Sequence, residues 1–319
     1  MKSQRFALAL AGAGLLAATV ASVPAAATGQ ADPKPYFVGK TAQPNAAKAA
    51  TAEPCESAVG VPTAAGTMQE IYSIPGRPPQ ADSLEPYKFV GTRANATWYG
   101  AVNAAGTQFY YYGLLLQGGS LYRHTTYLPA DESKSPVPTF KKVGTGWSSF
   151  KSIATSNYSV AQPRHAYLYG LNTNGSLYRY QIVGTGFRAL GPLPGFRGFK
   201  AMTVISETAT YDTLLMTTNA GALWTVRIPV AAGAKPVLRL IRSAGWSAYE
   251  SLVVQGCGTR GGSLIVAVDH NVQTGYQFAM SKANGAATAI TSYGRIPGAV
   301  FNGVSHVSLT THYDQLVGE

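Results

Sequence analysis

The stretch Val143-Gly144-Thr145-Gly146-Trp147-Ser148-Ser149-Phe150-Lys151-Ser152-Ile153 decides the fold, because it belongs to a unit that recurs. It is followed by Tyr167-Leu168-Tyr169-Gly170-Leu171 and then by Asn174-Gly175-Ser176-Leu177-Tyr178-Arg179-Tyr180. The last element returns upstream as Gly119-Ser120-Leu121-Tyr122-Arg123 and downstream as Gly221-Ala222-Leu223-Trp224, with weaker copies at Gly66–Tyr72 and Gly275–Phe278. The turn glycines Gly66, Gly119, Gly175, Gly221 and Gly275 are spaced by 53, 56, 46 and 54 residues. A second glycine series, Gly91, Gly144, Gly195, Gly245 and Gly298, follows at offsets of 25, 25, 20, 24 and 23. Two anchors that keep step five times mark a repeat architecture.

Each unit reads as short strands. Phe150-Lys151-Ser152-Ile153 alternates Phe150/Ser152 against Lys151/Ile153, Ala166 to Leu171 is a second run, and Leu177 to Tyr180 a third. Asn172 to Gly175 supplies turn chemistry, and Val237 to Ile241 shows a fourth run in its own unit. No segment combines a helical period with caps. Four strands per unit of about 50 residues predict an all-β, five-bladed β-propeller of four-stranded antiparallel blades. Open ends would expose edge strands. Ala58 to Val61 and Val304 to Leu309 are therefore expected in one composite blade. The only cysteines, Cys55 and Cys257, are expected to bridge neighbouring blades at that seam.

The ends bound the rest. Lys2 and Arg5, the apolar run Phe6 to Val23 and the small residues Pro24 to Ala27 read as a secretory signal over residues 1–27, which is removed and leaves no membrane insertion. Residues 28–54, rich in Ala, Pro and Thr, read as a disordered linker, so the propeller domain is 55–319. Export to the extracellular space makes the disulfide chemically consistent. The net charge of +11 falls to +9 without Lys2 and Arg5, but the cations are scattered, with Lys141-Lys142 the nearest thing to a cluster. A soluble basic exoprotein is expected, a monomer without a nucleic-acid partner.

The Gly-Thr-Gly-Trp-x-x-Phe-Lys-x-Ile, Leu-Tyr-Gly and Asn-Gly-Ser-Leu-Tyr-Arg elements resemble the tachylectin-type lectins. The resemblance covers most of 66–310 and is strongest in 119–180. It implies a five-bladed propeller in which each blade carries one site for an N-acetylated sugar. Phe196 stands in the place of Trp147, and the first unit lacks a Gly-Trp pair.

The residues themselves offer a binding set. Sugars are held by aromatic faces stacked on C–H patches and by amide or hydroxyl groups. Gly146, Trp147, Asn172, Asn174, Asn219, Gly245 and Trp246 are the candidates. Packing between blades is the competing role for the tryptophans, and turn formation for the asparagines. Glycans or glycoconjugates, bound without chemical change, are the expected partners.

Catalysis finds little support. No Gly-x-Ser-x-Gly elbow, Ser-x-Asp-x-Gly box, His-Glu-x-x-His or Asp-x-Asp-x-Asp-Gly loop occurs. No catalytic residue, metal or cofactor is assigned, and Asp269-His270 is a poor dyad because strand neighbours point to opposite faces. A hydrolase or lyase whose two carboxylates meet only in the fold, and a protein-interaction platform, are the rival readings.

Overall fold

A computed structural model describes residues 55–103, 105–131, 133–257, 261–311 and 316–319; the expected signal and linker lie outside them. Among the described residues there is no helix. The chain forms β1 (Ser57–Pro62), β2 (Thr67–Ile74), β3 (Gln80–Ser83), β4 (Tyr87–Lys88), β5 (Ala94–Asn95), β6 (Trp98–Val102), β7 (Phe109–Gln117), β8 (Ser120–Leu128) and β9 (Val137–Thr145). Three four-stranded antiparallel sheets follow. They are β10 (Phe150–Tyr158) to β13 (Gly186–Pro194), with β11 (His165–Asn172) and β12 (Ser176–Val183) between; β14 (Phe199–Glu207), β15 (Tyr211–Thr218), β16 (Leu223–Pro229) and β17 (Val237–Arg242); and β18 (Ser251–Gly256), β19 (Ser263–Asp269), β20 (Thr274–Met280) and β21 (Ile290–Arg295). The last strand is β22 (Val307–Thr311).

The remaining strands form one ten-stranded mixed sheet. Its composition explains itself from the repeat. β22 pairs antiparallel with β1, Val59 opposite Ser308, so the two ends of the chain share a β22-β1-β2-β3 meander as the sequence predicts. β5 and β6 both pair with β7, which pairs with β8 and then β9. The two meanders are joined by a short parallel contact of β22 with β6, Leu309 opposite Trp98.

The first strands of successive meanders lie side by side: β5 against β10, β10 against β14, β14 against β18, β18 against β22, and β22 against β6. Apolar clusters fill the gaps between successive sheets rather than one central core. Tyr169, Phe196 and Met216 sit between the β10 and β14 sheets, and Leu215, Trp246 and Ile265 between the β14 and β18 sheets. Leu116, Trp147 and Leu168 fill the gap before β10, Val59, Val266 and Phe301 that between β1 and β19, and Met68, Phe89 and Trp98 that at the β22–β6 contact. Cys55 and Cys257 are joined, with Cα atoms 5.1 Å apart, so the cross-link ties the start of β1 to the end of β18.

The turn glycines carry one repeated hydrogen bond. The carbonyls of Gly66, Gly119, Gly175, Gly221 and Gly275 accept from the backbone N–H of Phe89, Trp147, Phe196, Trp246 and Ile296, at 2.7, 3.0, 2.8, 3.0 and 2.9 Å. Each donor is a buried apolar residue wedged at a junction. Phe89 thus fills the slot that looks empty in the first unit. The second glycine series needs correcting. Gly195 and Gly245 directly precede the slot residue, as Gly146 does, whereas Gly144 lies within β9 and Gly91 and Gly298 fall two residues beyond it. The alternation read for Phe150 to Ile153 also fails, because a bulge at Lys151 breaks the register with β11.

Candidate functional site

The strongest copy of the repeat builds an open depression of about 550 Å³ beside β12. It is lined by Gly146, Ser149, Phe150, Asn172, Thr173, Asn174, Tyr178 and Tyr180. Its floor comes from strand periodicity. Tyr178 and Tyr180 are two apart on β12 and share a face. Their rings are nearly parallel, 16° apart in plane with centroids at 6.4 Å, which makes a continuous aromatic shelf. Both are partly exposed. Burial, then the neighbouring Tyr178, raises the Tyr180 phenol above its ordinary pKa, so its hydroxyl stays a neutral donor.

The rim is polar. The Asn172 amide donates to Ser149 Oγ at 2.8 Å, and its Oδ1 accepts from Asn174 N at 3.0 Å. Asn174 Oδ1 accepts from Ser176 N at 2.9 Å, while its amide donates to the Tyr178 hydroxyl at 3.1 Å. Asn172 is only 6% exposed and spends its side chain on the turn; Asn174 is exposed and uses one of its two amide hydrogens. Gly146 adopts φ +82°, a left-handed conformation that favours glycine, and so lets the chain turn into the wedge position.

Trp147 is placed under the shelf rather than on it, and Trp246 is buried in the same way at another junction. They are 6% and 5% exposed. The Trp147 ring packs on Phe150 and Tyr180, with centroids 4.5 and 5.1 Å away, and Trp246 packs on Tyr249 and Phe278 at 5.4 and 5.0 Å. Their ring faces meet protein, as in the packing role weighed above. Of the seven candidates, Gly146, Asn172 and Asn174 come together in the depression; Asn219, exposed in the β15–β16 turn, and Gly245 with Trp246 belong to other junctions.

The shelf residue has counterparts. Tyr178 stands opposite Gly170, which stands opposite Ile153 of β10. The same two steps lead from Tyr122 to Asn95, from Trp224 to Met202 and from Tyr276 to Leu252. All four aromatics are partly exposed. Sequence reasoning quoted these residues as repeat markers but did not select them as contacts. The available signal was an aromatic at the same strand position in four units.

The carboxylates are arranged differently from a glycosidase pair. Glu207 and Asp212 face each other across β14 and β15 but are 4% and 0% exposed. Asp212 accepts from the Tyr169 hydroxyl at 2.7 Å and from Ser156 Oγ, and contacts His165 Nε2 at 2.9 Å. Burial, then the Asp212 charge, pushes Glu207 up to about 8. The C-terminal residues lie over this network: Leu316 O accepts from Glu207 N at 3.0 Å, Gly318 N donates to Ile205 O, and Glu319 pairs with Arg227 at 3.0 Å. It is an interior polar network beneath a strap.

No family model matches the chain, and no curated protein does. Among solved structures it is similar to the fucose-specific lectin from Aleuria aurantia, at 13% identity and TM-score 0.42 over 80% of this chain and 87% of that one. It is also similar to SapL1 lectin in complex with alpha methyl fucoside, at 10% identity and TM-score 0.39 over 76% and 81%. The WD40 domain of SCAP from fission yeast follows at 7% identity and TM-score 0.32, over 84% and 74%. At these scores neither the architecture nor the ligands of those proteins are transferred to this chain.

Proposed function

We propose that the protein is a secreted, monomeric five-bladed propeller lectin that binds glycans at the Tyr178–Tyr180 shelf without altering them. Counting β5/β6 and β22 as the first strands of two blades divides the ten-stranded sheet and yields five meanders. The cyclic chain of first-strand contacts and the apolar cluster in every gap support that division. Export is supported by the Lys2 to Ala27 segment and by the Cys55–Cys257 bridge, a bond favoured in oxidising compartments.

The observation that carries the binding role is the open aromatic shelf with amide and hydroxyl groups on its rim. A pyranose presents an apolar C–H face and equatorial hydroxyls, which is the complement of such a surface. Tyr178 Oη accepts from Asn174 and keeps its own hydrogen for a sugar oxygen. An acetamido group would find the remaining Asn174 amide hydrogen and Ser149 within one rim, consistent with the N-acetylated sugars that the family resemblance implies. Tyr122, Trp224 and Tyr276 offer further shelves, so weak single sites would add by avidity on a surface.

A glycan array of the full chain, including N-acetylglucosamine, N-acetylgalactosamine and fucose glycans, tests this. Binding to an N-acetylated class, weakened about tenfold by Tyr178→Ala at unchanged melting temperature, is expected. Absence of binding to every glycan, or a Tyr178→Ala profile equal to the parent, overturns it.

A further inference from the structure

A second cavity, of about 100 Å³, lies on the axis where the first strands converge. Among its lining residues are Arg93, Lys151, Lys200 and Glu250. These four hold one position of the repeat, two residues before Asn95, Ile153, Met202 and Leu252, the positions that the shelf aromatics mark. The chain places them deliberately. Bulges at Lys151 and Lys200 break the register of β10 and β14, and Glu250 N bonds to Val268 O although Ser251 already opposes Val268. A bulge re-aims the side chain it carries.

Each cation reaches toward the next sheet. Arg93 donates to the carbonyls of Trp147 and Phe150, as well as to that of Gly118 in its own sheet, Lys151 to that of Phe199, and Lys200 to that of Ser247. Glu250 pairs with Lys200 at 3.2 Å. Three partly buried cations thus meet one carboxylate around a small cavity, an excess of two positive charges. Desolvation alone lowers the pKa of Arg93 and of Lys151, because no carboxylate offsets their burial. Partly desolvated like charges at one mouth create a field that a multivalent anion relieves.

We infer that the axial cavity binds a small tetrahedral oxyanion of sulfate or phosphate type, held by Lys151, Arg93 and Lys200. The carbonyl contacts leave donors to spare: Lys151 spends one of three N–H groups and Arg93 three of five. The cavity volume suits one such ion or the terminal sulfate of a saccharide. This site is separate from the tyrosine shelf, so neither depends on the other.

The test is a titration of the full chain with sodium sulfate, sodium phosphate and glucose 6-sulfate, each at constant ionic strength against chloride, read by calorimetry and by melting temperature. Saturable binding of a divalent oxyanion is expected. Lys151→Gln should weaken it at least about tenfold, the loss of one charge-assisted contact. Lys151→Arg should retain it, and Lys142→Gln on the surface should leave it unchanged. Glu250→Gln, which removes the opposing charge, should tighten binding several-fold and serves where Lys151→Gln does not fold. Free ions binding as well as glucose 6-sulfate point to the ion itself; preference for the sugar ester points to a sulfated glycan terminus. Lack of saturation, equal response to chloride, or affinity indifferent to both Lys151→Gln and Glu250→Gln overturns the site.

Discussion

The junctions at Trp147 and at Ile296 share a backbone and differ in what they display. In both, a turn-glycine carbonyl accepts from the N–H of a buried wedge, Gly119 from Trp147 at 3.0 Å and Gly275 from Ile296 at 2.9 Å. At Trp147 the wedge is aromatic, its ring supports Tyr180, and Tyr178 extends the surface to solvent. At Ile296 the wedge is aliphatic, and β2 presents Ile71 to it in a cluster with Val59, Val61 and Val266. The difference separates two demands that the repeat superimposes. Closure needs the glycine carbonyl and any apolar wedge; an aromatic shelf needs, in addition, aromatics on both sides of the wedge.

The largest expected effect removes the wedge itself. Trp147→Ala should cost about 3–5 kcal/mol and Ile296→Ala about 2–5 kcal/mol, since each empties a packed gap. Both should lower stability in urea unfolding. Only Trp147→Ala should also weaken glycan binding, by letting Tyr180 sink. Equal loss of binding in the two variants would show that the junctions are not functionally distinct.

Next comes the seam. Replacing Cys55 and Cys257 by Ser should destabilise the protein by about 2–5 kcal/mol, because the bridge closes a loop with a sequence separation of 202. Hydrogen exchange should rise in β1, β22 and β18 and stay unchanged in β10 to β13. Uniform exchange across the sheets would deny that closure is local to the composite sheet.

The interior network near β14 sets a pH dependence that the Trp147 junction lacks. Glu207 is protonated in the fold up to about pH 8 against an ordinary 4.5, so stability falls as pH rises through that window. His124 and His306 are held neutral down to about pH 3 against an ordinary 6.5, so stability also falls as pH drops from 6.5. With two histidines against one carboxyl, the maximum should lie at about pH 6.5, where the acid limb ends. Glu207→Gln should flatten the alkaline limb, read as a melting temperature that no longer falls as pH rises from about 4.5 to about 8. An alkaline limb unaltered by Glu207→Gln would remove this assignment.

The architecture was legible wherever the same physical demand recurs. Turn glycines repeat because each offers its carbonyl to a wedge, and the two chain ends could be matched because an open sheet edge is costly. The wedge of the first unit was not legible, since Phe89 and Trp147 satisfy one slot with different residues. Nor was the axial cavity, because bulges at Lys151 and Lys200 override the period-two reading of Phe-Lys-x-Ile. The strap of Leu316 to Glu319 has no period at all; it is held by Ile205, Glu207 and Arg227, which are close only after folding. At the shelf, tryptophan was the conspicuous letter, but burial took it. The partly exposed aromatic surface is instead that of Tyr178 and Tyr180, two strands outward from β10.

The smallest effect is the one that sharpens the comparison most. Tyr178→Ala, Trp224→Ala and Tyr276→Ala each remove a partly exposed ring from the third strand of a sheet, at a stability cost near 1 kcal/mol or less, because much of each ring already meets solvent. If every shelf binds, each single variant should leave about three-quarters of the parental site number for a monovalent sugar, while avidity on a glycan-coated surface drops further. If the Trp147 junction alone binds, Tyr178→Ala removes all of it and the other two remove none. Trp224 decides between these outcomes. Its wedge is Phe196 rather than tryptophan, and Val226 on β16 offers no second ring beside it. A shelf of one ring should hold a sugar more weakly than the paired tyrosines, so loss of sites should be read first from Tyr178→Ala, next from Tyr276→Ala, and last from Trp224→Ala.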